Sequence, residues 1–364
     1  MLDYFKIPKK DVVVVQAEKL RRTTEKIFEK CGVSKEEAQL GADVLLYADL
    51  KGIETHGVSN LLRSYVDWYN SRRLNPKPKW KVVRESPATA TIDGDNGLGL
   101  MTVAHAMNIA IAKAEKLGMG AVSIRNSQHC GAVGYFAMMA VEHDMIGWCM
   151  TAGGNAMVPT FGSEPKVGTN PISIAVPTNK KPPFIFDAAM TTIAGNKMGL
   201  LERIGAPMQP GWVAHDDGSP DMDGGGKFDF FLGNQRMQLP LGSTRDLGSQ
   251  KGYGLGVAVD VLCGILSNGS GFASLAGERR AHFVAAYKVD AFNDVDEFKT
   301  SMDEMLQGLE DTKPAPGYER VLYAGLEEYE EEQKRKSEGI PLHKEVVEWY
   351  KGTCEEMKIE FNLI

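Results

Sequence analysis

The sequence predicts an α/β protein with helices at both ends of the chain and a sheet in the middle. Short continuous apolar runs, which are typical of strands covered on both faces, recur between residues 121 and 186. Apolar residues at helical spacing precede this region, and further amphipathic patterns follow it. No internal repeat or low-complexity linker divides the chain, so we expect one continuous structure.

The first helix pattern begins at a capping box, in which Ser34 and Glu37 can satisfy backbone amides at a helix start. Apolar residues continue at helical spacing as far as Gly52, which suits a helix end. A strand over 89–93 is expected to lead into a glycine-rich turn at 94–99 and then a helix over 101–117.

Four strand candidates follow, at 121–124, 146–150, 172–176 and 184–186. The next stretch, 208–249, is rich in Gly, Pro and Asp and gives no assignable pattern. Beyond it the sequence predicts a helix over 253–265, a strand over 282–287 and a helix over 295–309. The acidic-to-basic segment around 327–336 is interpreted as a solvated helix with paired charges.

The composition is that of an ordinary globular protein, with 364 residues, 43% of them hydrophobic and 24% charged. A net charge of −7 argues against nucleic acid as the main partner, and no apolar run is long enough to span a bilayer. The N-terminus lacks a secretory pattern. Five scattered cysteines without CxxC spacing favour reduced thiols and hence a cytoplasmic location; they are Cys31, Cys130, Cys149, Cys263 and Cys354.

The sequence does not contain the familiar nucleotide-binding motifs. The glycines at 97 and 99 follow a strand and precede a helix, but Thr102 replaces the third glycine of GxGxxG and no acidic partner follows at the usual distance. The glycines at 252–256 lie within a helical pattern. No Walker loop, HExxH, GxSxG or spaced Cys/His cluster is present, so we assign no metal ligand, although distant residues could still combine into a metal site.

Five polar positions stand out at the ends of predicted elements. His129 lies between a strand pattern and a helix pattern, where α/β folds open clefts, and an imidazole there can exchange a proton near neutral pH. His56 stands at a second element boundary, and Asp187 ends an apolar strand. A turn at 168–171 contains Thr169 and Asn170, and Lys251 precedes glycines that permit close backbone approach. Taken singly, each position favours a structural role, such as a turn, a capped strand end or a surface lysine, and only their combination favours a functional site.

Together these positions resemble the malate/L-lactate dehydrogenase family, which also contains ureidoglycolate and L-sulfolactate dehydrogenases and is distinct from the Rossmann-type enzymes. The matching stretches, in the family's order, are ETHGV at 54–58, SQHCG at 127–131 and on through Tyr135, GTNP at 168–171, DAAMTTIAGNK at 187–197, KGYG at 251–254 and YAGLE at 323–327.

The resemblance implies a non-Rossmann three-layer α/β fold with a mixed central sheet. It divides the chain into a helical N-terminal region (1–80) that packs with the C-terminal helices (326–364), and a core (81–325) that binds cofactor and substrate. It also implies a homodimer whose subunits share the active cleft, and hydride transfer between NAD or NADP and a small 2-hydroxy acid.

The resemblance also implies roles for individual residues. His129 matches the proton-accepting histidine, and His56 matches a histidine that lines the substrate pocket. His56 and Asp187 are also expected to assist catalysis by orienting the substrate or tuning the base. The cofactor-binding residues are expected to be Asp187, Ala188, Ala189, Thr169, Asn170, Lys251, Gly325, Leu326 and Glu327. The substrate-binding residues are expected to be His56, Asn60 and Arg63. Because Asn60 stands where many members carry an arginine, the guanidinium that holds the substrate carboxylate is left open between Arg63 and Arg125.

Malate/oxaloacetate is the first expectation for the substrate. Lactate, sulfolactate, ureidoglycolate and cyclic imino acids stay open. Two other classes compete with the dehydrogenase: a non-catalytic protein that binds a dinucleotide, and a metal-dependent hydrolase or lyase with His56, His129 and Asp187 as metal ligands.

Overall fold

The computed structural model describes residues 5–224, 237–269 and 280–364. Its strands are β1 (Val12–Val15), β2 (Lys81–Glu85), β3 (Thr89–Gly97), β4 (Met119–Ser127), β5 (Met145–Ala152), β6 (Ile172–Val176), β7 (Phe184–Ala188), β8 (Arg280–Lys288) and β9 (Ile340–His343). Its α-helices are α1 (Ala17–Lys30), α2 (Lys35–Leu50), α3 (Val58–Asn70), α4 (Gly99–Leu117), α5 (Val133–Val141), α6 (Gly195–Ile204), α7 (Ser249–Val259), α8 (Val295–Glu310), α9 (Leu326–Glu338) and α10 (Lys344–Met357). A π-helix (Asp260–Ile265) continues α7.

Seven strands form one mixed sheet in the order β2-β3-β4-β8-β5-β6-β7. β3 and β4 run parallel, while every other neighbouring pair in this described sheet is antiparallel. A Rossmann sheet is mostly parallel, so this order excludes that architecture. The prediction of a non-Rossmann α/β fold with a mixed central sheet is confirmed.

Helices cover both faces of the sheet. α4 and α5 pack on one face, and α7 with the π-helix packs on the other. The core between α4, α5 and the sheet contains fully buried Leu100, Met107 and Phe136, and burying each such side chain contributes about 1.5–3 kcal/mol. α5 lies close to β5 because Gly147 has no side chain; a Cβ there would be 2.0 Å from the Ala137 carbonyl oxygen.

The two ends of the chain meet. β1 pairs antiparallel with β9, with Val12 opposite His343 and Val15 opposite Ile340. Between α1 and α10, the hydroxyls of Thr24 and Tyr350 are hydrogen-bonded at 2.8 Å. The terminal helices therefore pack together, whereas the region boundaries at residues 80 and 325 stay a prediction.

Three elements differ from expectation. β3 runs on to Gly97 through the expected turn, because Asp95 and Asn96 adopt positive φ and let the strand rejoin β4 after a shift in register. The helix expected over 253–265 changes from α to π at Asp260. α9 is only partly solvated, since Arg335 is buried. No helix among the described residues has the length and apolar character needed to cross a membrane.

Candidate active site

A cavity of about 610 Å³ opens where α2, β7, α6 and the start of α9 approach one another. That volume lies in the range of small-molecule sites. The loop between α2 and α3 supplies one wall with Thr55 and His56, and β7 supplies another with Ile185 and Asp187. Tyr323 adds apolar surface to the wall just before α9. Titratable and apolar groups therefore face the same space.

His56 lines this cavity. Its Nδ1 is 2.9 Å from the hydroxyl of Thr55, and no described residue is hydrogen-bonded to its Nε2. Burial, followed by the nearby charge of Lys197, lowers the pKa of His56 to about 4. The ring is therefore neutral near pH 7, and in the tautomer whose Nδ1–H donates to the Thr55 hydroxyl its Nε2 can accept a proton.

His129 lies directly beside His56, with the two rings stacked and their centroids 5.8 Å apart. The Gly131 amide donates to His129 Nδ1 at 3.1 Å, which makes Nδ1 an acceptor and leaves the proton on Nε2. The hydroxyl of Tyr65 is 2.7 Å from the same Nδ1. Burial, followed by the charge of His56, lowers the pKa of His129 well below its usual range. His129 is not among the residues that line the cavity.

Asp187 lies at the end of β7, and its Oδ2 accepts a 2.7 Å hydrogen bond from the Gly134 amide in the first turn of α5. Burial of the carboxyl group raises the pKa of Asp187 to about 6, the Gly134 bond opposes that rise, and Glu328 adds to it. The residue as a whole is exposed and lines the cavity. Gly134 permits the close approach of the carboxyl group, since a Cβ there would be 2.8 Å from Oδ2.

Buried charges hold the loop that carries His56. The Asp49 carboxyl group accepts from the Val58 amide at 2.8 Å and so caps the start of α3. Arg335 of α9 donates to the Asp49 carbonyl oxygen and to the Glu54 carboxylate, both at 2.6 Å. A Cβ on Gly57 would lie 2.0 Å from Asp49 Oδ1, so glycine is required beside His56.

Asp49 should make stability depend on pH. Burial raises its pKa to about 8 from 3.8; the bond from Val58 and the charge of Arg335 oppose this rise, and Glu54 adds to it. A raised folded-state pKa means that stability is fully present below 3.8 and is lost as the pH rises through about 8.

We expect Asp49→Asn to flatten this decline, because asparagine can still accept from Val58 but carries no proton to lose. One group can contribute at most about 1.4 kcal/mol per pH unit. Urea unfolding of both proteins across the window measures the slope. An equal slope in the two proteins would show that Asp49 does not titrate there.

The structure brings part of the expected site together. Thr169, Ala189, Gly325 and Glu327 line the cavity with His56 and Asp187. Ala188 and Leu326 adjoin lining residues in the chain without lining the cavity themselves. Asn170 is buried behind the wall, where it accepts from the Gly153 amide at 3.3 Å and donates to the Gly256 carbonyl oxygen at 2.8 Å.

The other expected residues lie outside the cavity. Lys251 is exposed on the first turn of α7. Asn60 donates to the Glu54 carbonyl oxygen at 3.2 Å and accepts from Arg203 at 3.0 Å. Arg63 is exposed on α3, and Arg125 pairs with Asp93 at 3.2 Å on the sheet.

Two lysines of the cavity wall were missed from the sequence, Lys51 and Lys197. Lys197 closes the matched stretch 187–197, which was the one available signal for it. Lys51 follows α2 directly and gave no signal, because a lysine at a helix end is ordinary.

The walls suit a nicotinamide cofactor. Asp187 and Glu327 offer carboxylates that can accept from ribose hydroxyls, and Ile185, Leu322 and Tyr323 offer apolar surface for a ring. Gly325, at φ 97°, lets its turn pack on β7, because a Cβ would lie 2.3 Å from Ile185 Cγ2. Within residues 5–224, 237–269 and 280–364, no cluster of three or more His, Cys, Asp or Glu is placed to hold a metal ion.

Comparisons with known proteins identify the family of this chain. The family described as malate/L-lactate dehydrogenase matches residues 15–350. A malate dehydrogenase of Pyrococcus abyssi is 38% identical over 329 residues, 89% of each chain. An L-sulfolactate dehydrogenase of Methanocaldococcus jannaschii is 35% identical over 95% of this chain and 97% of its own length.

The solved structure of malate dehydrogenase from Pyrococcus horikoshii superposes with a TM-score of 0.88 at 33% identity, covering 98% of this chain and 99% of that one. Dehydrogenases of this kind transfer a hydride to or from a nicotinamide cofactor. The chain therefore belongs to the malate/L-lactate dehydrogenase family, as an oxidoreductase of 2-hydroxy acids.

Proposed function

We propose that this protein oxidises malate to oxaloacetate with NAD or NADP and catalyses the reverse reduction. The observation that carries the proposal is the placement of the free Nε2 of His56 and the Asp187 carboxylate on one cavity with apolar surface beside them. The malate dehydrogenases among the similar proteins favour malate over the other 2-hydroxy acids.

His56 is the ring that we assign to proton exchange. The bound nicotinamide supplies or accepts the hydride. In the oxidising direction, neutral His56 takes the hydroxyl proton at Nε2, and in the reducing direction it returns that proton to the carbonyl oxygen. His129, which the sequence marked for this role, stacks on His56. Its Nδ1 accepts from the Gly131 amide, so its Nε2 carries a proton that it can donate in the reducing direction, which makes it the alternative group for proton exchange.

The cofactor is assigned to the walls that carry Asp187, Ala189, Glu327 and the Gly325 turn, with Thr169 at the edge. Asp187 is the hydrogen-bond acceptor in this set, since Gly134 fixes one of its oxygens. Ala188, Asn170 and Leu326 act through the backbone they hold in position. Lys251 does not line this cavity in the single chain, so its contact with the cofactor stays a prediction.

We propose a homodimer. The helix formed by α7 and its π-helical continuation exposes an apolar stripe, Leu255, Leu262, Ile265 and Leu266, each at least 36% accessible in the single chain. A surface of this kind is typical of a subunit interface. Light scattering should give twice the mass of one chain.

The five free thiols suit a reducing compartment, so we place the enzyme in the cytoplasm.

A substrate panel tests the activity. NADH and NADPH are each mixed with oxaloacetate, pyruvate, sulfopyruvate and a cyclic imine, and the absorbance of the reduced nicotinamide is followed. We expect the highest kcat/KM with oxaloacetate. A higher value with sulfopyruvate would reassign the substrate, and saturable NADH binding without turnover of any acid would point to a non-catalytic binding protein.

Running the same panel with a chelator distinguishes proton transfer by His56 from a metal-dependent reaction. We expect no change in rate, because the proposed proton transfer uses His56. Loss of turnover on chelation, with recovery on adding a divalent ion, would instead favour a metal-dependent enzyme.

A further inference from the structure

The cavity contains one lysine whose charge is already paired and one whose charge is not. Lys51 Nζ is 2.6 Å from Glu332, so its charge is neutralised within the protein. Lys197 has no carboxylate within ion-pair distance among the described residues, and its ammonium lies 4.3 Å from the centre of the Phe5 ring. A half-buried ammonium held by an aromatic ring is poised to bind an anion that enters the cavity.

The fold fixes Lys197 beside His56. Lys197 is the third residue of α6, and the preceding residue, Asn196, donates to the Thr55 carbonyl oxygen at 3.0 Å. That bond attaches the start of α6 to the residue before His56. The two side chains line the same cavity, and the ammonium is close enough for its charge to lower the pKa of His56.

Negative charge occupies the other walls. Asp187 of β7 and Glu327 and Glu328 of α9 line the cavity there, and Glu328 is close enough to raise the pKa of Asp187. A substrate carboxylate is repelled by these groups and attracted to α6. Arg63 and Arg125, the guanidiniums expected from the sequence, do not line this cavity.

We propose that Lys197 binds the carboxylate next to the carbinol of the 2-hydroxy acid and so presents the substrate hydroxyl to His56. This inference rests on the proposed function of the same site. An ammonium attracts a carboxylate as a point charge and does not impose the two-pronged geometry of a guanidinium. The anchor therefore tolerates differences at the far end of the acid.

Kinetics of Lys197→Met, Lys197→Arg and wild type test the proposal, with Lys113→Met as a charge-matched control that pairs with Glu85 and does not line the cavity. Loss of a charged hydrogen bond should raise the KM for oxaloacetate in Lys197→Met by about 10- to 100-fold. The NADH dissociation constant should stay within about twofold of wild type, and Lys197→Arg should recover part of the KM. Lys113→Met should behave as wild type.

A binding experiment separates this inference from the proposed activity. Oxalate, an unreactive dicarboxylate, is titrated calorimetrically into each protein in the presence of NADH. Weaker oxalate binding in Lys197→Met alone would support the anchor even if no acid in the panel is turned over. Equal oxalate affinity in all proteins, or a loss of NADH affinity as large as the loss of oxalate affinity, would overturn it.

Discussion

His56→Ala should lower kcat for oxaloacetate reduction by about 100- to 10,000-fold, the usual contribution of a positioned acid–base group. The NADH dissociation constant should change little, because His56 Nε2 is assigned to the substrate oxygen and not to the cofactor. Stopped-flow rates of a single turnover measure the chemical step directly, apart from product release.

Two further histidine variants make this result specific. His105 lies on α4, away from the cavity, and its Nε2 is 2.7 Å from Glu37 of α2. His105→Ala should therefore keep wild-type kcat. His129→Ala should lower kcat less than His56→Ala, since it removes the ring that supports His56. A larger loss of kcat in His129→Ala, with substantial turnover left in His56→Ala, would show that His129 and not His56 exchanges the proton.

Arg335→Met should lower the free energy of unfolding by about 3–5 kcal/mol, the usual effect of breaking a buried ion pair from one side. Arg335 and Glu54 are 5% and 8% accessible and 2.6 Å apart. Burial raises the pKa of Glu54 even with the Arg335 guanidinium present. Removing the guanidinium therefore leaves a buried Glu54 carboxyl group that must take up a proton. The Asp49 carbonyl oxygen also loses its donor.

The matched control is an exposed ion pair whose acidic partner lies on the same helix. Arg320 donates to Glu330 of α9 at 2.6 Å, but both side chains are largely exposed. Arg320→Met should therefore cost about 1 kcal/mol or less. Urea unfolding at one fixed protein concentration gives both values. Equal losses in the two variants would show that the Arg335 cluster does not stabilise the loop that carries His56.

Local pattern was enough to predict most elements. β6 occupies the predicted residues, Ile172–Val176, because an apolar run bounded by turns leaves few alternatives. α4 extends the predicted helix by two residues at its start, and Gly118 ends it in a left-handed conformation. Strand order was not predictable in this way: β8 lies between β4 and β5, although it follows both by more than a hundred residues. Such pairing depends on long-range packing that the sequence pattern does not record.

For the candidate site too, individual residues could be predicted from the sequence, but their arrangement in space could not. His56 and Asp187 were found because polar residues at strand and helix ends are conspicuous, but nothing in the sequence shows that they face one cavity. Lys197 was passed over because a lysine on a helix is usually solvated. Arg335 was assigned to a solvated face because its neighbours in α9 are charged, and only the packing of α9 on α2 buries it.

Direct hydride transfer is the central claim, and one labelling measurement tests it. The protein is supplied with oxaloacetate and NADH that carries deuterium at the transferable position of the nicotinamide ring, and the product is examined by mass spectrometry and NMR. The account predicts malate with deuterium on its carbinol carbon. Malate without deuterium, or no malate at all while both ligands bind, would contradict it.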